Sequence, residues 1–246
     1  MRSMPELVLC NDIIRRSEDE KNKTQFIPPF LEEFSCAEID AAGPVFDEQS
    51  MVTFRNLFQD LNNTTYSGND TRNIDASAFV NLPTTYLHSL SLSSNFSSTI
   101  LLPSSTLAPW FLQAFFPSKY LQHRLLKISE DIIMDDAALL EEGQLDDGCD
   151  DMTDDEVLDA CWLRGLPVGR FANSGAVGIE NTATKEREIG SMRNLLTNHL
   201  RMMSFVMVDE GSGLRSRGSL VRDSSLQLLV LHLPAIRHKM MVHSKR

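Results

Sequence analysis

Apolar residues recur along this chain at three- and four-residue steps, the spacing that lines one side of a helix of 3.6 residues per turn. Between Ser50 and Leu61 the stripe is Met51, Phe54, Leu57, Phe58 and Leu61. Between Lys119 and Met134 it is Leu121, Leu125, Ile128, Ile132 and Ile133. Glu188 to Met203 repeats the pattern with Met192, Leu195, Leu196, Leu200 and Met203, leaving Arg193 and Arg201 off the stripe. Each stripe needs a partner surface to bury it. Shorter helices are expected over Glu6 to Arg16, Phe30 to Ile39 and Trp110 to Phe116, with Pro28, Pro29 and Pro117 as breaks. Ser224 to His243 reads as a closing helix interrupted near Pro234, because proline has no amide proton for the ladder.

The sharpest local signal surrounds residues 153 to 165. Thr153 stands three residues before Glu156, the capping-box spacing in which each side chain satisfies an orphan amide, and Met152 and Val157 hold the positions of a hydrophobic staple. Asp154, Asp155 and Glu156 suit the positive end of the helix dipole and Arg164 the negative end. Gly165 can take the left-handed cap, Leu166 can fold back, and Pro167 stops continuation. Loops are expected over Asn62 to Asn73, Phe171 to Ala183, and around Gly211, Gly213 and Gly218 with Arg215, Arg217 and Arg222. Thr84 to Thr106, rich in Ser and Thr, reads either as extended structure or as an insertion loop whose hydroxyls bond their own backbone. These elements predict an all-α, multi-helix fold with minor strand content.

Composition adds a core and removes several classes. The 246 residues are 42% hydrophobic and 23% charged, which supports one or two globular domains and excludes collagen, disulfide scaffolds and wholesale disorder. No apolar run approaches the roughly 20 residues of a membrane span. Net charge is −11, but it is unevenly placed: Ser129 to Ala160 holds 14 acidic residues and no Lys or Arg, whereas Cys161 to Arg246 holds 13 basic against 6 acidic residues. Such a dipolar chain is expected to present its basic third to a phosphate-rich or acidic partner.

Catalytic patterns are missing from the sequence. The histidines form no HExxH, and there is no Walker loop, GxSxG or GxGxxG. Cys10, Cys36, Cys149 and Cys161 form no CxxC pair, which suits a reducing compartment, and Cys161 reads as a packed thiol. The acids from Asp135 to Asp151 lack the spacing of a calcium loop and read as a solvated face. A non-enzymatic protein without cofactor or metal is expected. Met1 to Lys23 mixes arginines with acids, unlike an import signal.

One resemblance sharpens this picture. The stretches Met134-Asp135-Asp136, Leu139 to Gly143, Met152 to Val157 and Asp159-Ala160-Cys161-Trp162-Leu163-Arg164-Gly165-Leu166 resemble the LETM family of mitochondrial inner-membrane proteins, with residues 192 to 204 and 224 to 241 similar to its last two helices. The resemblance implies a 14-3-3-like helical domain that associates with mitochondrial ribosomes, in proteins tied to mitochondrial organisation and ion homeostasis. It implies a division into a divergent N-terminal part, 1–106, and a ribosome-binding-like part, 107–246. Membrane residence would need a segment that this sequence lacks, which implies a truncated product or a soluble derivative.

The helix from Asp154, its turn and the following helix are also similar to the SAP helix-hinge-helix module, which binds DNA. Under either likeness the contacts would come from Arg164, Arg170, Arg193 and Arg201, because phosphate binding runs on positive charge. The alternatives are an independent nucleic-acid-binding module and a protein-protein adaptor without RNA contact.

Overall fold

The computed structural model describes residues 48–65, 82–93, 118–143, 145, 147–166, 182–209 and 213–243. Among them lie helices α1 (Glu48–Thr65), α2 (Thr84–Ser93), α3 (Ser118–Glu141), α4 (Asp154–Leu163), α5 (Thr182–Met207), α6 (Arg217–Val221) and α7 (Ser224–His243), with the expected apolar stripes on α1, α3 and α5. One antiparallel pairing, β1 (Val208–Asp209) with β2 (Gly213–Leu214), is the strand content of these residues, so the fold is all-α. The helices expected over Glu6 to Arg16, Phe30 to Ile39 and Trp110 to Phe116, and Arg170, lie outside the described residues.

Helix α7 organises the packing. Every residue from Ser225 to Ile236 is buried, as suits a helix that is apolar on all sides and must be enclosed rather than laid on a surface. Helices α1, α2, α3 and α6 pack around it. Met51, Phe54 and Phe58 of α1, Leu87 and Leu90 of α2, and Leu121, Leu125 and Ile133 of α3 meet Leu226 to Ile236 in one core, which Met202, Met203, Val206 and Met207 close from the end of α5. A second core lies under α4, where Val157, Leu158 and Cys161 meet Leu139, Ile189, Met192, Leu196 and Leu200. Helices α3 and α5 run through both cores. Side chains from both sides of residue 106 share the first core, so packing among the described residues does not divide at that boundary.

Several expectations are corrected. The loop expected around Gly218 contains helix α6, and Asn62 to Thr65, expected to open a loop, still belong to α1. Residues 84 to 93 are helical, neither extended nor loop. The serine hydroxyls do bond their own backbone, but within the helix: Ser89 Oγ donates to Thr85 O at 3.1 Å and Ser91 Oγ to Leu87 O at 2.6 Å. Helix α7 passes through Pro234 without interruption. The lost hydrogen bond, on the order of 3 kcal/mol, is outweighed by burying the helix on every side. Leu195, placed on the apolar stripe of α5, is 37% exposed.

The caps of α4 form as their residues predict. Glu156 N–H donates to Thr153 Oγ1 at 3.3 Å and Thr153 N–H donates to Glu156 Oε2 at 2.8 Å, completing the capping box. Gly165 has φ 65°. Its N–H donates to Trp162 O at 3.0 Å and Leu166 N–H to Cys161 O at 2.9 Å, the paired bonds of a Schellman cap. Among the described residues no helix is long and apolar enough to cross a membrane.

Candidate functional site

Where α3, α4, α5 and α7 converge, the boundary between the two cores is polar. Arg164, the C-cap of α4, sends Nε to Asp136 Oδ1 at 2.7 Å, Nη1 to Ala160 O at 2.9 Å and Nη2 to Asp135 Oδ2 at 2.5 Å. Asp136 Oδ2 lies 3.0 Å from His199 Nε2, and His199 Nδ1 lies 2.7 Å from Arg237 Nη2. A guanidinium only donates, so Nδ1 must accept and Nε2 must carry the ring proton that bonds Asp136. The geometry thus specifies a neutral imidazole with one tautomer.

The electrostatics agree. Burial pushes Asp136 up, but Arg164 and His199 override it and hold the carboxyl at about 2. Burial pulls His199 down to about 4 against the attraction of Asp136. Arg237 is pulled down to about 10 by burial, and its buried Nη1 has no hydrogen-bond partner among the described residues. The set Asp135, Asp136, Arg164 and Arg237 balances two negative charges against two positive ones around a neutral ring.

Asp135 is where this buried set reaches the surface, its side chain 46% exposed. It stands on the rim of a groove of about 500 Å³ between the C-terminal half of α3 and the outer side of α4. Positions 135 and 139 of α3, with 142 just past its end, face 156, 159, 160 and 163 of α4 across the groove, spaced by about one turn on each side. Leu139, Met152, Ala160 and Leu163 supply the apolar lining, and Asp135, Glu142, Asp151, Glu156 and Asp159 supply five carboxylates. Among the described residues no cation lines it.

The turn that enters α4 is fixed from α5. Arg193 Nη1 donates to the carbonyls of Cys149 and, at 3.2 Å, Asp150, and Nη2 donates to Met152 O at 2.7 Å. This lets Cys149 hold φ 60°, a left-handed conformation that a residue other than glycine adopts at a cost. The thiols beneath are packing groups. Burial pushes Cys161 up to about 11, with Sγ 3.5 Å from Met192 O, and burial also raises Cys149. Neither offers a thiolate nucleophile.

The four arginines expected to form one basic face therefore separate. Arg164 is buried and ion-paired, Arg193 is half-buried and spent on loop carbonyls, and Arg201 is exposed on α5. Arg170 lies outside the described residues. Sequence reading missed His199 and Arg237, which carry no motif, and took the acids of α3 and α4 for a plain solvated face. The one-turn spacing of 135, 139 and 142 against 156, 159 and 163 was the available signal. Compared with protein families, curated proteins and solved structures, the chain finds no match.

Proposed function

We propose that this chain is a non-enzymatic binding module that seats a basic, amphipathic protein segment in the α3–α4 groove. The observation that supports it is the combination of an apolar lining with a rim that, among the described residues, carries five carboxylates and no cation. A helix presenting one apolar stripe flanked by Lys and Arg matches both features, with its apolar side chains against Leu139 and Leu163 and its cations along Asp151 and Asp159. The resemblance to the LETM family fits within this reading. A mitochondrial ribosome offers basic protein segments as well as RNA, so ribosome association would proceed through the acidic face and a ribosomal protein. Mitochondrial residence and the 14-3-3-like comparison rest on the same likeness, and the SAP-like reading of α4 and α5 on the separate likeness to that module. The internal engagement of Arg164 and Arg193 weighs against a nucleic-acid contact, since phosphate binding needs exposed cations.

The test is a binding titration of the whole chain with a fluorescent Lys/Leu amphipathic peptide and with its Glu/Leu counterpart. Binding is expected for the basic peptide alone, weakening with salt but persisting through its apolar contact. The triple variant Glu142→Lys, Asp151→Lys, Asp159→Lys should lower affinity at least about tenfold, or about 1.4 kcal/mol. Equal affinity in parent and variant would place the contact elsewhere.

A further inference from the structure

The corner between β2 and α7 carries the opposite charge. Arg215, Ser216, Gly218, Ser219, Arg222 and Asp223 line a concavity of about 640 Å³. Its carboxylate is already committed: Asp223 Oδ2 accepts from Arg55 Nη2 at 2.8 Å and Arg215 Nη1 at 3.0 Å, while Oδ1 accepts from Ser225 Oγ and, at 3.2 Å, Leu226 N–H. Arg217 beside it is taken by Glu141. The guanidiniums of Arg55 and Arg215 therefore share one carboxylate, and Arg222, exposed on the same concavity, has no salt bridge to a described residue. This surplus of positive charge sits in a chain whose net charge is −11.

Two exposed hydroxyls border the surplus. Ser216 makes no side-chain capping bond at α6, and Ser219 Oγ accepts from Arg215 Nη2 at 3.3 Å. We propose that Ser219 is a phosphorylation site whose phosphate is received by Arg215 and Arg222. Arg215 and Arg217 lie four and two residues before it and Arg222 three after, the cationic flanks that an arginine-directed serine kinase recognises with its own carboxylates. In the transfer, Ser219 Oγ attacks the γ-phosphorus of ATP. The Oγ–P bond forms as the bond to the β,γ-bridging oxygen breaks, ADP leaves with that electron pair, and the hydroxyl proton passes to the kinase's base.

The phosphoserine brings a charge of about −1.5 to −2 to the corner and several strong acceptors. Arg215 Nη2, already 3.3 Å from Oγ, can donate to the new oxygens. Arg222, which has no salt bridge to a described residue, gains an anionic partner. Asp223 keeps Arg55, Ser225 and the Leu226 amide, so the start of α7 is not sacrificed. The modification thus ties α6 to the segment after β2 and leaves the core untouched. It is independent of the α3–α4 groove.

Two measurements on the whole chain test this. First, incubation with an arginine-directed serine kinase and ATP, followed by phosphopeptide mapping, should place the main label on Ser219. Ser219→Ala should abolish that label and Arg217→Gln slow it about tenfold. Second, phosphoserine installed genetically at 219 should show, by phosphorus NMR, a second phosphate pKa at least about half a unit lower than in an Arg222→Gln background. Arg222 is exposed and holds no salt bridge to a described residue, so that variant should fold as the parent does. Label on another residue, or a phosphate titration indifferent to Arg222, overturns the proposal.

Discussion

Asp136 shows how much one residue can depend on its neighbours. It is a carboxylate with no exposed surface, held by Arg164 on one oxygen and His199 on the other. Removing it alone leaves Arg164 buried and partly unpaired, so Asp136→Ala should destabilise the fold by roughly 3–5 kcal/mol, as should Arg164→Ala. Arg201→Ala, on an exposed side chain, should change stability by no more than about 0.5 kcal/mol. Urea denaturation of the three variants checks the ranking, and similar midpoints throughout would contradict the buried placement. His199 makes the same site sensitive to acid. Its ordinary value is 6.5 and burial pulls it to about 4, so between these values the unfolded chain binds a proton that the folded chain refuses. His232 behaves alike: burial pulls it to about 4, with Nδ1 donating to Leu228 O at 2.6 Å and Nε2 accepting from Tyr86 at 2.6 Å. His88 is shifted in the same direction by burial. Stability should therefore be full above about pH 6.5 and fall toward pH 4, by up to about 1.4 kcal/mol per pH unit for each of the first two histidines. Asp136, held near 2 against an ordinary 3.8, extends the loss below pH 4. His199→Gln should flatten the upper part of this profile, measured by denaturation at stepped pH. An unchanged slope would mean that the ring is charged in the folded state.

At the scale of elements, legibility followed the kind of information each helix carries. Helix α4 announced both ends, because caps are local chemistry: Thr153 with Glu156, and Gly165 with Leu166, need no other part of the chain. Thr153→Ala should lower stability by about 1 kcal/mol through the lost cap. Gly165→Val should cost about 1–2 kcal/mol, since a branched side chain strains φ 65°. Thermal melts of both check this, and parental melting would refute the cap geometry. Helices α1 and α3 were readable from their stripes, which fall on Met51, Phe54 and Phe58 and on Leu121, Leu125, Ile132 and Ile133. Helix α7 was readable as a helix but not as the centre, and α2 was missed. Both lack a two-sided pattern, for α7 is buried on every side and the buried set of α2 includes His88 and Ser91 with Tyr86, Leu87 and Leu90. Where burial is complete, periodicity vanishes, and Pro234 then looks like a stop although the surrounding helices hold the turn in place.

Across the whole molecule, the charge asymmetry of the sequence survives folding, but its meaning changes. A linear count credits residues 161 to 246 with a positive surplus, and folding spends several of those cations internally: Arg164 on Asp136, Arg193 on the entry to α4, Arg215 on Asp223, Arg217 on Glu141. The carboxylates of 129 to 160 largely stay at the surface and gather around an apolar floor. The all-α class was legible because it sums many local signals. The candidate site was not, because it depends on which charges find partners far away in the chain, and no spacing rule reports that. The groove and the α6 corner are opposite in sign, so ligands suited to one are repelled by the other.

The buried set at the junction of the cores has a consequence for how such a chain can diverge. Asp136, Arg164, His199 and Arg237 lie on four different elements, yet each is tolerable only in the presence of the next. A mutation that removes one strands another, so neutral drift cannot dismantle the set one step at a time, whereas simultaneous replacement by apolar residues of similar volume would be nearly neutral. Descendants of a common ancestor should hold all four or none. Surface positions outside the groove and the α6 corner can meanwhile change with little effect on stability. Kinship for this fold would thus be recorded in a few distant, co-inherited polar positions: an aspartate late in the long helix, an arginine before a glycine cap, a histidine one helix further on and an arginine on the enclosed last helix, retained together where little else aligned.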